Sequence, residues 1–366
     1  MKPIHILFRK LAFWVLCAFA AVVTLPIITI GVWRPLHYAE HLTSDMRIAY
    51  FSGDSKQNSD IVILTITDEV LAKFRYRSPV DRVFLARLIE LLEHRGAKAI
   101  GIDLIFDAPT DSVADDNLHQ VLASSKLPMA VAYRLPDNDV SDAQRLFISR
   151  FVPVSVRANA RMLIDPADDV VRWFDPVWRA SDGIVDYNIA GSLAHKLGFN
   201  VEQKRVAIRW NPSRYPFKIF RADIAELLPA ETFRGKVVLI GVDAPFIDRH
   251  RTPVSVATNQ ADISGVVIVA HELAGLMGQE SSPEWPAVEM AILIVVALLV
   301  GLSLPQFAPT RHSTRFFVVW LISVTYWILC VLVWNELGVM MPLMIPTVTL
   351  IVSTFISTQM KRNIFS

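Results

Sequence analysis

Four stretches of the chain are long, apolar and almost free of charged residues, and they bracket one polar segment. They cover residues 11–33, 287–306, 316–334 and 339–360. Because about 20 apolar residues suffice for a helix to cross a bilayer, each stretch is predicted to be a transmembrane helix. The polar segment between the first two stretches, residues 34–286, is long enough to fold as a domain with its own core. This division accounts for a hydrophobic fraction of 53%, which is high for a soluble protein.

Basic residues in the short connecting segments predict the orientation of these helices. Seven of them flank the apolar stretches: Lys2, Arg9, Lys10, Arg311, Arg315, Lys361 and Arg362. The connection at residues 335–338 has none. Since short cytoplasmic segments are enriched in Lys and Arg, residues 1–10 and 361–366 are predicted to be cytoplasmic, and residues 34–286 lie on the other side of the membrane lipid.

The first apolar stretch has an alternative interpretation as a cleaved signal peptide. Ala18, Phe19 and Ala20 resemble a cleavage site. The apolar run continues well past them and is longer than the apolar region of a signal peptide. An uncleaved membrane anchor is therefore favoured.

Cysteine placement and charge restrict how the polar segment is held together and what it binds. The two cysteines, Cys17 and Cys330, both fall within predicted membrane helices. A packed core rather than a disulfide must then stabilise residues 34–286. The net charge of the whole chain is +1, and residues 34–286 are mildly acidic. Nucleic acid is therefore not an expected partner, because its binding requires a basic surface.

Residues 60–107 are typical of a strand, a helix and a second strand. An apolar run after Asp60 precedes an amphipathic segment at 81–94, and a second apolar run covers 98–102. Gly96 is expected to end the helix, because glycine tolerates the positive φ of a helix C-terminus. The two strands are expected to pair in parallel through a right-handed crossover.

Later segments extend this pattern. A continuous apolar run at 237–240 predicts a strand buried on both faces. Further strands are expected at 128–133, 151–156 and 205–210, and further helices at 116–124, at 187–197 and beginning near Arg221. The fold class predicted for residues 34–286 is therefore α/β, with a largely parallel mixed sheet.

Three carboxylates follow predicted strands: Asp68, Asp103 and Asp243. Because ligands bind at the carboxyl edge of open parallel sheets, these side chains could line one pocket for a hard cation or an amine. Alternatively, each could cap a helix or turn.

Arg82 and Asp248 complete the candidate ligand-binding residues. Arg82 stands at a helix start and could bind an aspartate or an anionic ligand, or form a structural ion pair. Asp248 lies in a charged loop, 248–251, that could cover the pocket or simply be solvated.

Motifs for catalysis are missing from the sequence. His271 and Glu272 begin like a zinc-protease motif, but Gly275 occupies the position of the second histidine. Gly241 lacks the further glycines of a dinucleotide site, and no Walker motif occurs. The sequence predicts no enzyme, no catalytic residue, no metal ligand and no cofactor.

Four blocks resemble the type-two CHASE domain, an extracytoplasmic sensory domain of bacteria. They read IVILTITDEVLAKF, LLEHRGAKAIGIDLIF, FRGKVVLIGVDAPFIDRHRTP and GVVIVAHELAGLM. The resemblance implies one membrane helix before a periplasmic domain and three after it, in a bacterial inner (plasma) membrane. It also implies output through a cytoplasmic histidine kinase, nucleotide cyclase, diguanylate cyclase or serine/threonine kinase, and a homodimer.

Two hypotheses about function follow. The first is a sensor that passes a periplasmic signal to a signalling enzyme. That enzyme is either a separate cytoplasmic protein, or part of a longer receptor of which this sequence is the N-terminal part. The alternative is an envelope scaffold that binds a periplasmic protein without signalling.

Overall fold

The computed structural model describes residues 34–52, 56–134, 141–179, 185–213, 215–245, 247–278, 282–283, 287–307 and 312–365. The predicted membrane helix at 11–33 lies outside the described residues. Contacts divide the chain into two compact units. The unit at residues 54–282 is named the sensory unit because its sequence resembles a sensory domain, and the helical unit comprises residues 1–53 and 283–366.

The secondary structure alternates strands and helices through the sensory unit, and the described residues of the helical unit are mainly helical. In chain order the strands are β1 (Ile61–Ile66), β2 (Ala99–Asp103), β3 (Met129–Tyr133), β4 (Arg157–Asn159), β5 (Trp173–Phe174), β6 (Val177–Arg179), β7 (Val185–Tyr187), β8 (Val206–Ala207), β9 (Lys218–Arg221), β10 (Val237–Val242), β11 (Arg249–His250), β12 (Ile263–Ser264) and β13 (Ser282–Pro283). The α-helices are α1 (Arg34–Phe51), α2 (Asp68–Leu71), α3 (Arg82–His94), α4 (Ser112–Ser124), α5 (Asp142–Phe151), α6 (Ile189–Lys196), α7 (Pro253–Thr258), α8 (Gly265–Gly278), α9 (Ala287–Phe307), α10 (His312–Leu337) and α11 (Met344–Phe365). Short 3-10 helices cover Val154–Val156, Ala222–Leu227 and Ala230–Thr232.

A six-stranded sheet in the order β4-β3-β2-β10-β1-β9 forms the centre of the sensory unit. Every pairing in it is parallel. The α/β class and the parallel sheet are thus confirmed. The expectation that β1 pairs directly with β2 is wrong, because β10 lies between them. The apolar side chains of β10 are buried on both faces of the sheet, which suits a central position.

Helix α3 begins and ends where its sequence signals predict. The Asp81 side chain accepts a hydrogen bond from the Phe84 amide at 2.8 Å and caps the first turn. Gly96, with φ of 75°, follows the helix. Leu85, Ile89 and Leu92 lie on one face and are fully buried, so the amphipathic pattern holds α3 against the core.

Other boundaries differ from the prediction for local reasons. Helix α4 begins at Ser112, four residues early, because the Asp111 side chain caps the amides of Val113 and Ala114. The predicted strand at 151–156 is wrong: Phe151 ends helix α5, and Val154–Val156 is a 3-10 helix. Phe151, Val152 and Val156 are buried by packing onto the core instead of by strand pairing, whereas Val154 is exposed.

Three predictions in the second half of the sensory unit are confirmed only in part. The expected helix at 187–197 is α6, followed by Gly198 with φ of 87°. The expected strand at 205–210 is reduced to β8, which pairs antiparallel with β5. The helix expected near Arg221 is the 3-10 helix Ala222–Leu227.

The helical unit contains α1, α9, α10 and α11. Within the described residues, one helix is long and apolar enough to cross a membrane, Ser313–Leu337, and Glu289–Pro305 and Met344–Gln359 are shorter apolar helices. Helices α9 and α11 pack closely. A Cβ on Gly301 would lie 1.9 Å from Ser353 Oγ, and Ser357 Oγ donates to the Leu302 carbonyl at 2.7 Å.

Gly241 in β10 provides a test of packing in the sensory unit. A Cβ at this position would lie 2.5 Å from Val266 Cβ on α8. We expect Gly241→Ala to push α8 from the sheet and to lower the free energy of unfolding by about 1–3 kcal/mol. Thermal unfolding of the detergent-solubilised chain, followed by circular dichroism, measures the change.

The control for this substitution is Gly275→Ala in α8, where no atom of the described residues other than the adjoining chain of α8 itself lies within 4 Å of the added Cβ. Alanine is favoured over glycine in a helix by up to about 1 kcal/mol. The control should therefore unfold at the same or a higher temperature. Equal behaviour of the two variants would contradict the packing argument.

Candidate functional site

A cavity of about 400 Å³ lies at the carboxyl edge of the sheet. This volume is within the range of small-molecule sites. Its wall combines apolar side chains, among them Leu104, Ile189 and Val269, with polar ones. The charged and titratable lining residues are Arg82, Asp103, Asp107, Arg134, Arg161, Asp248, His250 and Glu272.

Two carboxylates meet above the first residue of α8. A Cβ on Gly265 would lie 2.2 Å from Asp248 Oδ2 and 3.1 Å from Asp103 Oδ2. The Gly265 amide donates to the Asp248 carbonyl at 3.0 Å, and Asp248 itself has φ of 49°. A glycine is thus required at the start of α8, because any side chain would occupy the space that the two carboxylates fill.

Glu272 contributes a third carboxylate from within α8. It is 5% exposed, and its Oε2 accepts a hydrogen bond from Asn188 Nδ2 at 2.9 Å. The Asn188 Oδ1 caps α6 by accepting from the Gly191 amide at 2.7 Å. One asparagine therefore orients the buried acid and begins the helix that packs beside it.

Burial raises the pKa values of two of these acids. Desolvation, reinforced by the charge of Asp248, raises the pKa of Asp103 to about 7, although His250 acts in the opposite direction. Desolvation, reinforced by Asp103, raises the pKa of Glu272 to about 8, and the Asn188 hydrogen bond opposes this rise. Both groups thus change protonation near neutral pH.

His250 is a basic partner of this cluster. Its Nε2 lies 2.9 Å from Asp248 Oδ1. Asp248 therefore stands between an imidazole and the Asp103 carboxyl group. Chemically, the carboxyl groups offer several oxygen atoms that can bind a positively charged ligand. Such a ligand would displace the protons that the carboxyl groups otherwise carry.

The structure brings together three of the five predicted ligand-binding residues. Asp103, Asp248 and Arg82 line the cavity, whereas Asp68 and Asp243 do not. Asp68 begins the short helix α2 and lies 3.5 Å from Arg77. Asp243 forms an ion pair with Arg249 at 2.8 Å.

Arg82 uses its donors within the protein. Its Nε lies 3.2 Å from Asp115 Oδ1, Nη1 donates to the Val80 carbonyl and Nη2 donates to the Ala108 carbonyl. The guanidinium also stacks over the Phe106 ring at 4.6 Å. This arrangement favours a structural ion pair over a ligand contact.

Sequence reasoning missed Glu272 and Asn188 as members of this site. Together with His271, Glu272 interrupts the apolar sequence of α8, and an ionisable residue in an apolar helix is a signal that could have indicated the cavity. Its neighbour His271 points elsewhere. It packs between Trp210 and Phe217, each 4.9 Å away between ring centroids, and burial lowers its pKa to about 4.

An α/β domain with a ligand-sized cavity at the carboxyl edge of its sheet, joined to apolar helices, has the features of a membrane-attached binding domain. The family model described as the CHASE2 domain matches residues 18–303. The chain belongs to this family, the type-two CHASE extracytoplasmic sensory domain, and the resemblance seen in the sequence is confirmed. Comparison with curated proteins and with solved structures gives no match.

Replacing Arg82 tests its structural role. We expect Arg82→Met to lower the free energy of unfolding by roughly 3–5 kcal/mol, because Asp115 would keep a buried charge without its partner. Arg87→Met, at an exposed position of the same helix, should change it by at most about 0.5 kcal/mol. Thermal unfolding of both variants measures this, and a fully stable Arg82→Met protein would refute the role.

The raised pKa values predict how stability depends on pH. In the unfolded chain both acids ionise near their ordinary pKa values of 3.8 and 4.5, whereas in the fold their pKa values are raised to about 7 and 8. Between these limits the folded state binds more protons, so these two groups make stability fall as pH rises.

The Asp103→Asn, Glu272→Gln double variant should remove this part of the pH dependence. We expect its melting temperature to fall less steeply than that of the wild type between about pH 5 and 8. The exposed Glu90→Gln variant on α3 should follow the wild-type curve. Parallel curves for the double variant and the wild type would contradict the assignment.

Proposed function

We propose that the chain is a sensory protein of the bacterial inner membrane that detects a periplasmic signal in the strand-edge cavity. The signal passes to a cytoplasmic signalling enzyme in trans, or the chain is the N-terminal part of a receptor that carries one. The observation that carries this proposal is the convergence of Asp103, Asp248 and Glu272 on a cavity of about 400 Å³. The role is ligand binding and not catalysis.

The proposed topology has four membrane crossings, at residues 11–33, 287–306, 316–334 and 339–360. Both termini are cytoplasmic and the domain at 34–286 is periplasmic. The distribution of Lys and Arg supports this arrangement, and so does the extracytoplasmic character of the family. The third crossing falls within the long apolar helix Ser313–Leu337.

The ligand that suits the cavity is a small molecule with an amino group. Acidic side chains of β2, α8 and the loop at 248 would bind the ammonium group. The apolar side chains Leu104, Ile189 and Val269 would contact its carbon atoms. A bare metal ion would satisfy the carboxylates but leave most of the cavity unfilled.

Basic residues after β3 and β4 add a second feature. Arg134 and Arg161 line the same cavity, so a ligand that also carries a carboxylate would find complementary charge. Amino acids and diamines therefore form the first probes, and Ca²⁺ and Mg²⁺ test the alternative of a hard cation.

Ligand binding should show as thermal stabilisation of the full chain in lipid nanodiscs. An amine that binds should raise the melting temperature of the wild type and of Glu90→Gln but not of Asp103→Asn. Because protons compete for Asp103 and Glu272, the affinity should rise between about pH 6 and 8.5. A screen of these probes without a shift, or an equal shift in Asp103→Asn, would refute the site.

Co-purification tests the output. We expect chemical crosslinking in membranes to capture a histidine kinase, a cyclase or a serine/threonine kinase, together with a second copy of the chain. Deleting the chain should then change the activity of that enzyme. A stoichiometric envelope complex without any regulated enzyme would support the non-signalling scaffold instead.

A further inference from the structure

A buried carboxylate joins the first helix of the helical unit to the beginning of its last helix. Glu40 of α1 is 7% exposed. Its Oε1 accepts a hydrogen bond from the Leu343 amide at 2.6 Å, and its Oε2 accepts from the Met344 and Ile345 amides at 2.7 and 3.0 Å. Met344 and Ile345 begin α11, where the amides have no partners within their own helix, and Leu343 immediately precedes it.

Arg47 holds this contact from two turns further along α1. Its Nη1 donates to the Met341 carbonyl at 2.7 Å, and its Nη2 lies 3.7 Å from Glu40 Oε1. The side chain is 3% exposed. Glu40 thus binds the amides that begin α11, while Arg47 binds a carbonyl of the segment that leads into it.

Helix α10 also contacts the beginning of α11 and the segment that leads into it. Tyr326 Oη donates to the Pro342 carbonyl at 2.5 Å, and Trp327 Nε1 donates to Thr347 Oγ1 at 2.9 Å. Leu36 of α1 and Ile345 of α11 belong to one buried apolar cluster with Ile294 of α9. The beginning of α11 is therefore fixed by side chains of three other helices.

We propose that Glu40 and Arg47 form a latch that makes α1 and α11 move as one body, so that a displacement of α1 by the sensory domain is passed to α11. The physical basis is the high cost of partial separation. Withdrawing Glu40 would leave buried amides without acceptors and a buried carboxylate without donors. Its charge also stabilises the positive end of the α11 dipole. The contact therefore favours two discrete states, closed and open, over a continuous range.

The role of the latch in signalling rests on the proposed sensory function. The existence of the latch does not depend on that function, because the contact can be measured without any ligand. Failure of the ligand screen would leave it intact, and failure of the latch would leave the cavity intact.

Hydrogen exchange tests the contact. We expect Glu40→Gln and Glu40→Ala to speed exchange of the amides at 343–345 by about 10- to 100-fold in the full chain in nanodiscs, because a hydrogen bond to a charged group is lost. The exposed Glu336→Gln variant of α10 is the matched control and should leave exchange unchanged. Unchanged protection of β1 and β10 shows that the sensory unit folds in each variant, and unchanged protection of the middle of α10 shows that the helical unit does.

Spin-label distances test the common motion. Labels at the exposed positions Leu42 of α1 and Val352 of α11, in a chain with Cys17 and Cys330 replaced by alanine, should give one narrow distance distribution. Glu40→Gln and Arg47→Met should broaden or shift it, and Glu336→Gln should not. Unchanged exchange or unchanged distances in the two latch variants would overturn the proposal.

A charge exchange separates the latch from a simple ion pair. The double variant Glu40→Arg, Arg47→Glu retains opposite charges but places a cation against the amides of α11. We expect it to stay as open as Glu40→Gln in both measurements. Restoration of the narrow distribution would show that the pair alone holds the helices, and would overturn the role of Glu40 at the helix N-terminus.

Discussion

The parallel pairing of β1 with β10 is the contact on which the sensory unit depends. It joins Ile61 to Val237 and continues to the pair Ile66 and Val242, so the chain between them must leave the sheet and return to its centre. Closing so long a loop costs conformational entropy, and the burial of both strands offsets this cost. Because β10 also pairs with β2, its register sets Gly241 beside Asp103. The pairing that completes the core therefore also places the first acid of the cavity.

Two glycines then bring α8 to that acid. Gly241 leaves room for Val266, and Gly265 leaves room for the carboxylates of Asp103 and Asp248. Glu272 lies about two turns further along the same helix, on the same face. Side chains at either glycine would separate the helix from the sheet edge and open the acidic cluster. The electrostatics of the cavity thus depend on how closely the backbone of α8 approaches the edge of the sheet. The acids are near one another because the two glycines permit this approach.

These acids reduce stability, since desolvation outweighs the hydrogen bond from Asn188 in setting the pKa of Glu272. Apolar residues of similar size would stabilise a core more. Residues that lower stability inside a cavity are typical of binding sites, where a ligand supplies the missing interactions. Beside the apolar core around β1 and α3, the buried charged residues Arg82 and Asp115 form an ion pair with each other, which offsets part of the cost of burying them.

The sequence predicted those parts of the fold whose signals are local. The apolar run of β10 and Gly96 each act within a few residues, and the structure confirms both. Strand order could not be predicted this way, because β10 enters between β1 and β2 from far along the chain.

The same limit applies to the cavity. Asp103 was visible as a strand end, but Glu272 gains its meaning only from Asn188, which is 84 residues away. The predicted strand at 151–156 failed because an apolar run shows burial without showing which secondary structure achieves it.

The order of the elements along the chain connects the cavity to the helical unit. Helix α8, which carries Glu272, is the last helix of the sensory unit before the chain continues to α9, and α1 is the helix that precedes β1. A ligand that draws the carboxylates together would act on α8 and on the end of β2. Helix α8 lies only a few residues before the point where the chain leaves the sensory unit. The chain enters that unit after α1, and Glu40 and Arg47 of α1 contact the start of α11. Both covalent connections of the sensory unit thus lead to helices that pack with α11, either directly or through the cluster of Leu36, Ile294 and Ile345. Under the proposed function, a rearrangement at the cavity would be passed to α11 along the chain by either route, and the proposed latch would determine whether the route through α1 moves that helix.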